Sequence, residues 1–309
     1  LSGTPEPATV LPDFAAPEPS PARWRADSAL ALVALVWGAT FVIVKQAITQ
    51  ISALYFLSLR FSLASLCLLL LFLPAFRRMS RRQILRGLRG GFLTGLLLWC
   101  GYVLQTFGLR YTSAANSGFL TGLYIVLVPL IGAAIYRQAP SLREISGLSL
   151  ATMGMVVMTL PGSGSRFSIN LGDLLTIACA VAFAFHLQVL GHFSKRESVE
   201  AVALGQVACA ALLSTGSLTI VKPTAVWSPS VITAIVLTAV FATAMAFTLQ
   251  TWGQKHTTPT RTALIFALEP VFALVTAIAF GEPARWPALL GGALILAGIL
   301  AVELKSGGG

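Results

Sequence analysis

Charge is what this sequence has least of. Only 10% of its 309 residues are charged and 11 are acidic, whereas a soluble globular domain carries about 25% Asp, Glu, Lys and Arg. With a mean hydropathy of +0.82 there are too few charged side chains to coat a sphere of this size, so a water-soluble fold is excluded. Cysteine and histidine are also scarce. Cys67, Cys100, Cys179 and Cys209 all lie inside apolar runs with no CxxC pair, which argues against a disulfide framework or a zinc site and for small buried hydrophobes. Neither a phosphate-cradling P-loop nor an HExxH motif is present. His186, His192 and His256 are scattered, and Asp13, Asp27 and Asp173 fall in the N-terminal tail or near the ends of apolar runs. The group pairs of a membrane-embedded hydrolase are therefore missing, and neither enzyme activity, cofactor nor metal is expected.

Apolar runs of roughly 20 residues, enough to cross a hydrocarbon core of about 30 Å, are abundant. They fall at 27–48, 52–73, 88–108, 114–136, 144–160, 171–191, 199–221, 230–252, 259–280 and 286–303. Between them lie helix-ending or helix-starting residues such as Pro74, Pro140, Pro161-Gly162, Pro223, Pro229 and Pro259. The fold class that follows is an all-α polytopic membrane protein of ten transmembrane helices. Residues 1–26, rich in Pro, Ala and Glu, read as a disordered tail, 161–170 as a linker and 304–309 as a C-terminal tail. The net charge of +10 would suggest nucleic acid in a soluble protein. Here the basic residues flank the apolar runs, so nucleic-acid binding is discarded. With the N-terminus cytoplasmic, 15 of the 21 Lys and Arg fall on the inner side and five on the outer, and Arg60 lies within the second span. That bias predicts a multi-pass inner-membrane protein with both termini in the cytoplasm.

The chain also repeats itself. Leu104-Gln105-Thr106-Phe107-Gly108-Leu109-Arg110-Tyr111-Thr112-Ser113 aligns with Leu249-Gln250-Thr251-Trp252-Gly253-Gln254-Lys255-His256-Thr257-Thr258 at an offset of 145, Gly147 and Gly154 match Gly291 and Gly298 at 144, and Asp27 matches Asp173 at 146. The sequence thus divides into two five-helix repeats, 27–160 and 171–303. Five is odd, so the second repeat enters the membrane from the opposite side and the two are inverted. Secondary transporters use this architecture, with a site near the midplane and two related halves that exchange outward-open and inward-open shapes.

Polar and aromatic residues inside the spans form the candidate binding site, because an unsatisfied polar group in lipid costs several kcal/mol and must face protein, water or a ligand. On helical spacing Trp37, Thr40 and Phe41 share a stripe of the first span, Trp99, Tyr102 and Gln105 a face of the third, and Asn116, Leu120 and Tyr124 one of the fourth. In the second half the corresponding residues are Phe183 with His186, Thr243 and Phe247 with Gln250, and Thr262 and Phe266 with Glu269. Glu269 is the one carboxylate in mid-span. It reads either as a structural partner of Arg60 or as a handler of substrate amine or protons, and Pro270 after it is expected to kink the ninth helix. The small-residue spacing Gly87, Gly91, Gly95 and Gly118, Gly122 predicts close helix packing within one chain, functional as a monomer. Trp227, Trp252 and Trp286 read as interfacial anchors, and the arginines between Pro74 and Gly90 as topology signals touching anionic lipid.

Together, Val36-Trp37-Gly38, Leu59-Arg60-Phe61, Asn116-Ser117-Gly118-Phe119-Leu120 with Pro129, Leu268-Glu269-Pro270-Val271-Phe272, and the Gly-x6-Gly of the fifth and tenth spans resemble the EamA-like branch of the drug/metabolite transporter superfamily. The resemblance implies a bacterial inner-membrane carrier, commonly an exporter of amino acids or other small metabolites, with a central cavity built from both halves. One departure is that Tyr124 and Ile125 stand at the repeat positions of Glu269 and Pro270, so no symmetric pair of acids is present. The expected partners are a small polar or zwitterionic solute and the lipid bilayer. A facilitator without ion coupling and, less favoured, a channel or a membrane enzyme are the competing readings.

Overall fold

In the computed structural model, residues 21–112, 114–137, 141–159, 170–279 and 285–303 are described. Their helices are α1 (Pro21–Ala47), α2 (Ala53–Phe76), α3 (Arg81–Gly108), α4 (Ala114–Thr121), α5 (Tyr124–Tyr136), α6 (Leu142–Thr159), α7 (Leu171–Ser194), α8 (Val199–Ser217), α9 (Pro229–Ala239), a π-helical segment (Val240–Met245), α10 (Ala246–Lys255), α11 (Pro259–Phe266), α12 (Leu268–Ala279) and α13 (Trp286–Glu303). Helices α4 and α5 are one span interrupted at Gly122-Leu123, and α11 and α12 one interrupted at Ala267. Helices α9 and α10 are joined by the π segment. The described residues thus form ten consecutive helical stretches. Eight are long and apolar enough to cross a membrane, while the apolar part of α13, Trp286–Val302, is shorter. The protein is an all-α, multi-pass membrane protein. Helix α1 starts at Pro21, six residues inside the segment expected to be a disordered tail.

Helix starts follow local chemistry. Ser80 and Gln83 make a reciprocal capping box on α3, as do Asn170 and Asp173 on α7. Ser228 and Thr258 cap α9 and α11, with Pro229 and Pro259 in the first turn, where their missing N–H costs nothing. The break before α12 has a proline cause, since Pro270 cannot donate to the carbonyl of Phe266 four residues back. At the matching position of the first half the chain breaks without a proline. The amides of Ile125 and Val126 bond instead to the carbonyls of Gly122 and Leu123 at 3.0 Å, a tighter turn.

Contacts at the helix ends give the direction of each half. Lys45, at the end of α1, donates to the Thr112 carbonyl (3.2 Å), and the Thr112 hydroxyl donates to Asp173 at the start of α7 (2.7 Å). On this face the α1–α2 connection also pairs with the α8–α9 connection, Ser52 N–H to Thr224 C=O at 2.8 Å and Val226 N–H to Gln50 C=O at 2.7 Å. At the other end of α1, Asp27 accepts two bonds from Arg261 at the start of α11, at 3.0 and 2.8 Å. Hence α1 begins on one face and its repeat mate α7 on the opposite one. Asp27 and Asp173 are repeat mates too, and each holds the connection before the fourth helix of the other half.

The halves interlock and do not sit side by side. Each helix packs most densely against the other half: α6 on α13, α3 on α7 and α8, α2 on α8, α1 on α10 and α12, and α5 on α7. Small residues make this possible, as the spacing of Gly87, Gly91 and Gly95 predicts, whereas a Cβ on Gly118, expected to pack closely as well, would meet nothing within 4 Å. A Cβ on Gly91 would lie 2.6 Å from the Val202 carbonyl of α8 and one on Gly95 2.5 Å from that of Gln206. At the α6–α13 crossing, Gly154 and Gly291 back onto each other's carbonyls at 2.5 and 2.4 Å. Of the tryptophans read as interfacial anchors, Trp227 and Trp286 are exposed, while Trp252 is half-buried with its ring 4.9 Å from that of His256.

Replacing Gly154 by Leu is therefore expected to drive α6 from α13 and cost about 1–3 kcal/mol, read as a lower Tm in detergent. Gly216→Ala, where an added methyl meets nothing within 4 Å, is expected to be neutral or stabilising by up to about 0.5 kcal/mol. Equal losses at both positions would refute the close-packed crossing.

Candidate functional site

Where the interlocked halves meet, they leave a cavity whose empty space, open solvent at its mouth included, is about 720 Å³. Its wall is organised by the repeat. Trp37 and Phe183, Thr40 and His186, Tyr102 and Phe247, Gln105 and Gln250, Thr121 and Phe266, and Tyr124 and Glu269 all line it. Each pair is separated by 145 or 146 residues. The cavity therefore lies on the axis that relates the two halves.

Not every wall residue is matched: Arg60 and Leu98 line the cavity while their mates Gln206 and Thr243 are buried outside its wall, and a further mismatch lies nearer the helix ends. Val44 and Leu109, near the ends of α1 and α3 on the Lys45–Thr112 face, line the cavity. Their repeat mates Leu190 and Gln254 do not, and both are fully buried. Gln254 donates to the Leu187 carbonyl at 3.0 Å. At these two positions the cavity reaches toward the Lys45–Thr112 face, whereas the matching positions toward the Asp27–Arg261 face are filled by packed side chains.

Aromatic rings from both halves make the walls. The Trp37 ring lies 5.1 Å from Phe266 and 5.5 Å from Phe247, and Tyr102 lies 5.6 Å from Phe183, in tilted or edge-to-face geometry. The π-helical segment matters here. Its wider turn frees the Ala242 carbonyl, which accepts from the Trp37 indole (2.9 Å) and from Arg60 (3.1 Å), tying α1 and α2 to the eighth span. Polar groups around the cavity are mostly satisfied: Gln105 donates to Thr121 at 3.1 Å, and His186 pairs with Gln206 at 2.9 Å, which in turn donates to Thr251 at 3.0 Å. Gln250 is one exception. Its Oε1 is buried and has no partner.

Of the residues expected from sequence, Trp37, Tyr102, Gln105, Tyr124, His186, Gln250 and Glu269 come together on this wall. Trp99 does not. It packs against the apolar cluster around Phe61 and Leu98 with its indole N–H buried; three residues before Tyr102 on α3, it is rotated about 60° from that residue around the helix. The side chains of Phe41 and Asn116 lie outside the described residues. Sequence reasoning missed Arg60 as a wall residue. It is 3% exposed and held by Thr243, Tyr102 and Ala242. The suggested Arg60–Glu269 pairing is absent: the ion pairs within 4.0 Å among the described residues are Arg86 with Glu197 and Arg261 with Asp27. A lone arginine inside an apolar run was the available signal.

Among the described residues no group of metal-ligating side chains occurs, and the wall offers hydrogen bonds, charge and aromatic contact. An "Uncharacterized transporter" of Archaeoglobus fulgidus is 34% identical over 284 residues, covering 92% of this chain and 87% of its own. A "Probable amino-acid metabolite efflux pump" of Escherichia coli is 25% identical over 299 residues, covering 89% and 94%. A solved crystal structure of a protein superposes with a TM-score of 0.72 at 19% identity over 90% of this chain and 97% of the other, a likeness of fold. The EamA-like transporter family pattern matches twice, at residues 24–160 and 170–304. The chain therefore belongs to the EamA-like transporter family, and it is a membrane transporter, not an enzyme.

Proposed function

We propose that this transporter is a secondary carrier that exports a small zwitterionic solute, an amino acid or a similar metabolite, across the inner membrane by alternating access. The observation that carries this reading is the cavity between the halves, lined by matched residues from both yet by Val44 and Leu109 near one face and not by their mates Leu190 and Gln254 near the other. An inverted pair of halves can swap conformations, so a state with the opposite reach costs little. In it Leu190 and Gln254 line the cavity, and Val44 and Leu109 are packed away. Because the halves interlock, this change runs through shifts of helices drawn from both and not through rocking of one half as a block.

Orientation follows from the basic residues. The Asp27–Arg261 face carries the arginine-rich α2–α3 connection and is cytoplasmic by the positive-inside rule, so the cavity described here faces outward. Glu269 holds the ammonium of the solute. The name of the Escherichia coli relative supports the choice of amino-acid-like cargo. A single chain holds every residue of the cavity wall, which supports function as a monomer.

Two measurements test the reading. In a cysteine-free background, Val44→Cys is expected to react with an impermeant thiol reagent added outside. Leu190→Cys is expected to react only from inside, and only while solute is being exchanged. Simultaneous labelling of both sites from one side would rule out alternating access and revive the channel. Glu269→Gln is expected to slow amino-acid exchange in proteoliposomes at least ~10-fold, the loss of one charge-assisted contact. Unchanged exchange removes Glu269 from the site.

A further inference from the structure

Arg60 is the part of the wall that the carrier reading leaves unexplained. Its guanidinium has five N–H groups. Nε donates to the Thr243 hydroxyl at 2.7 Å, and Nη2 to the Tyr102 hydroxyl at 3.2 Å and the Ala242 carbonyl at 3.1 Å. All three acceptors are neutral. The two N–H groups of Nη1 have no acceptor among the described residues, and the side chain opens onto the cavity. The Tyr102 ring, 4.8 Å from the guanidinium carbon, holds the plane in place.

Among the described residues no carboxylate lies within 4.0 Å to balance this charge. A permanently charged group inside a membrane bundle is costly without an anion beside it. Helix tethering does not demand it. The repeat mate of Arg60, 146 residues on, is Gln206, which ties His186 and Thr251 together with a neutral amide. The opposite charge is also confined to one half, since Glu269 has Tyr124 as its mate. The wall therefore carries one cation from the first half and one acid from the second, unpaired with each other, with the unpartnered Gln250 Oε1 on the same wall.

We infer that Arg60 binds the carboxylate of the transported solute through Nη1, making the cavity a two-pole site for free amino acids with apolar or aromatic side chains. The inference rests on the carrier reading. The carboxylate supplies the missing counter-charge, Glu269 and Gln250 receive the ammonium, and the rings of Trp37, Phe183, Phe247 and Phe266 take the side chain. An amine or amide lacking a carboxylate leaves Arg60 without its anion.

The full-length protein in detergent decides the matter by thermal shift with each of the twenty amino acids, its carboxamide and its decarboxylated amine. At least one amino acid is expected to raise Tm, with its amide and amine binding at least ~10-fold more weakly. Arg60→Gln is expected to abolish that preference, and Arg60→Lys, which keeps the charge but loses the fork, to restore part of it. Amides that bind as well as acids, or a panel with no stabilising amino acid, would overturn the inference. So would an Arg60→Gln protein that still prefers the acid. Should Arg60→Gln not fold, the acid-to-amide ratio of the unmodified protein decides alone. The outside labelling of Val44→Cys, with Leu190→Cys silent to the same reagent, needs no solute and depends on no carboxylate. One-sided labelling there with a failed panel therefore rejects the two-pole site and leaves the carrier standing.

Discussion

Close contact between two antiparallel halves is the constraint from which the rest of this molecule follows. In lipid there is no hydrophobic force to press helices together, so association rests on packing and on hydrogen bonds. Both are supplied across the halves. Glycines bring α3 onto α8 and α6 onto α13 at backbone distance, and Asp27 and Asp173 each reach into the other half on opposite faces. A half on its own would expose these backbone surfaces and acids to lipid, which explains why the repeats are interlaced and not juxtaposed.

The cavity is a consequence of that interlacing. Residues related by the repeat meet around the axis, and there the sequence places rings and amides, not the small residues that close the crossings. Rings such as Trp37 and Phe183 are too bulky to let the backbones approach as they do at Gly154, so space remains between them. Function then resides in departures from the symmetry. The reach of the cavity toward Val44 and Leu109 distinguishes one face from the other. The π-helical segment, with no counterpart in the described part of α3, turns the Ala242 carbonyl out to meet Trp37 and Arg60.

Much of this was legible in the chain itself. Apolar runs locate the helices because nothing else survives in hydrocarbon, and the recurrence of Leu-Gln-Thr at Leu104 and Leu249 reveals the duplication. Helical spacing was enough to select Trp37, Tyr102, Gln105 and Gln250, since each sits on the same stripe as other polar residues of its span. It failed for Trp99. A stripe drawn on one helix is wide, and which part of it meets the axis depends on how α3 is rotated against α7 and α8.

The sequence by itself determined the class of solvent, the number and order of helical runs, their duplication and the sidedness of their charge, because these depend on composition and on separation along the chain. Only the tertiary structure decided that Arg60 is not the partner of Glu269, that a π turn binds Arg60 and Trp37 to one carbonyl, and that Leu190 and Gln254 are shut away while Val44 and Leu109 line the cavity. Those facts depend on distances between residues far apart in the chain, set when two halves of opposite direction pack into each other.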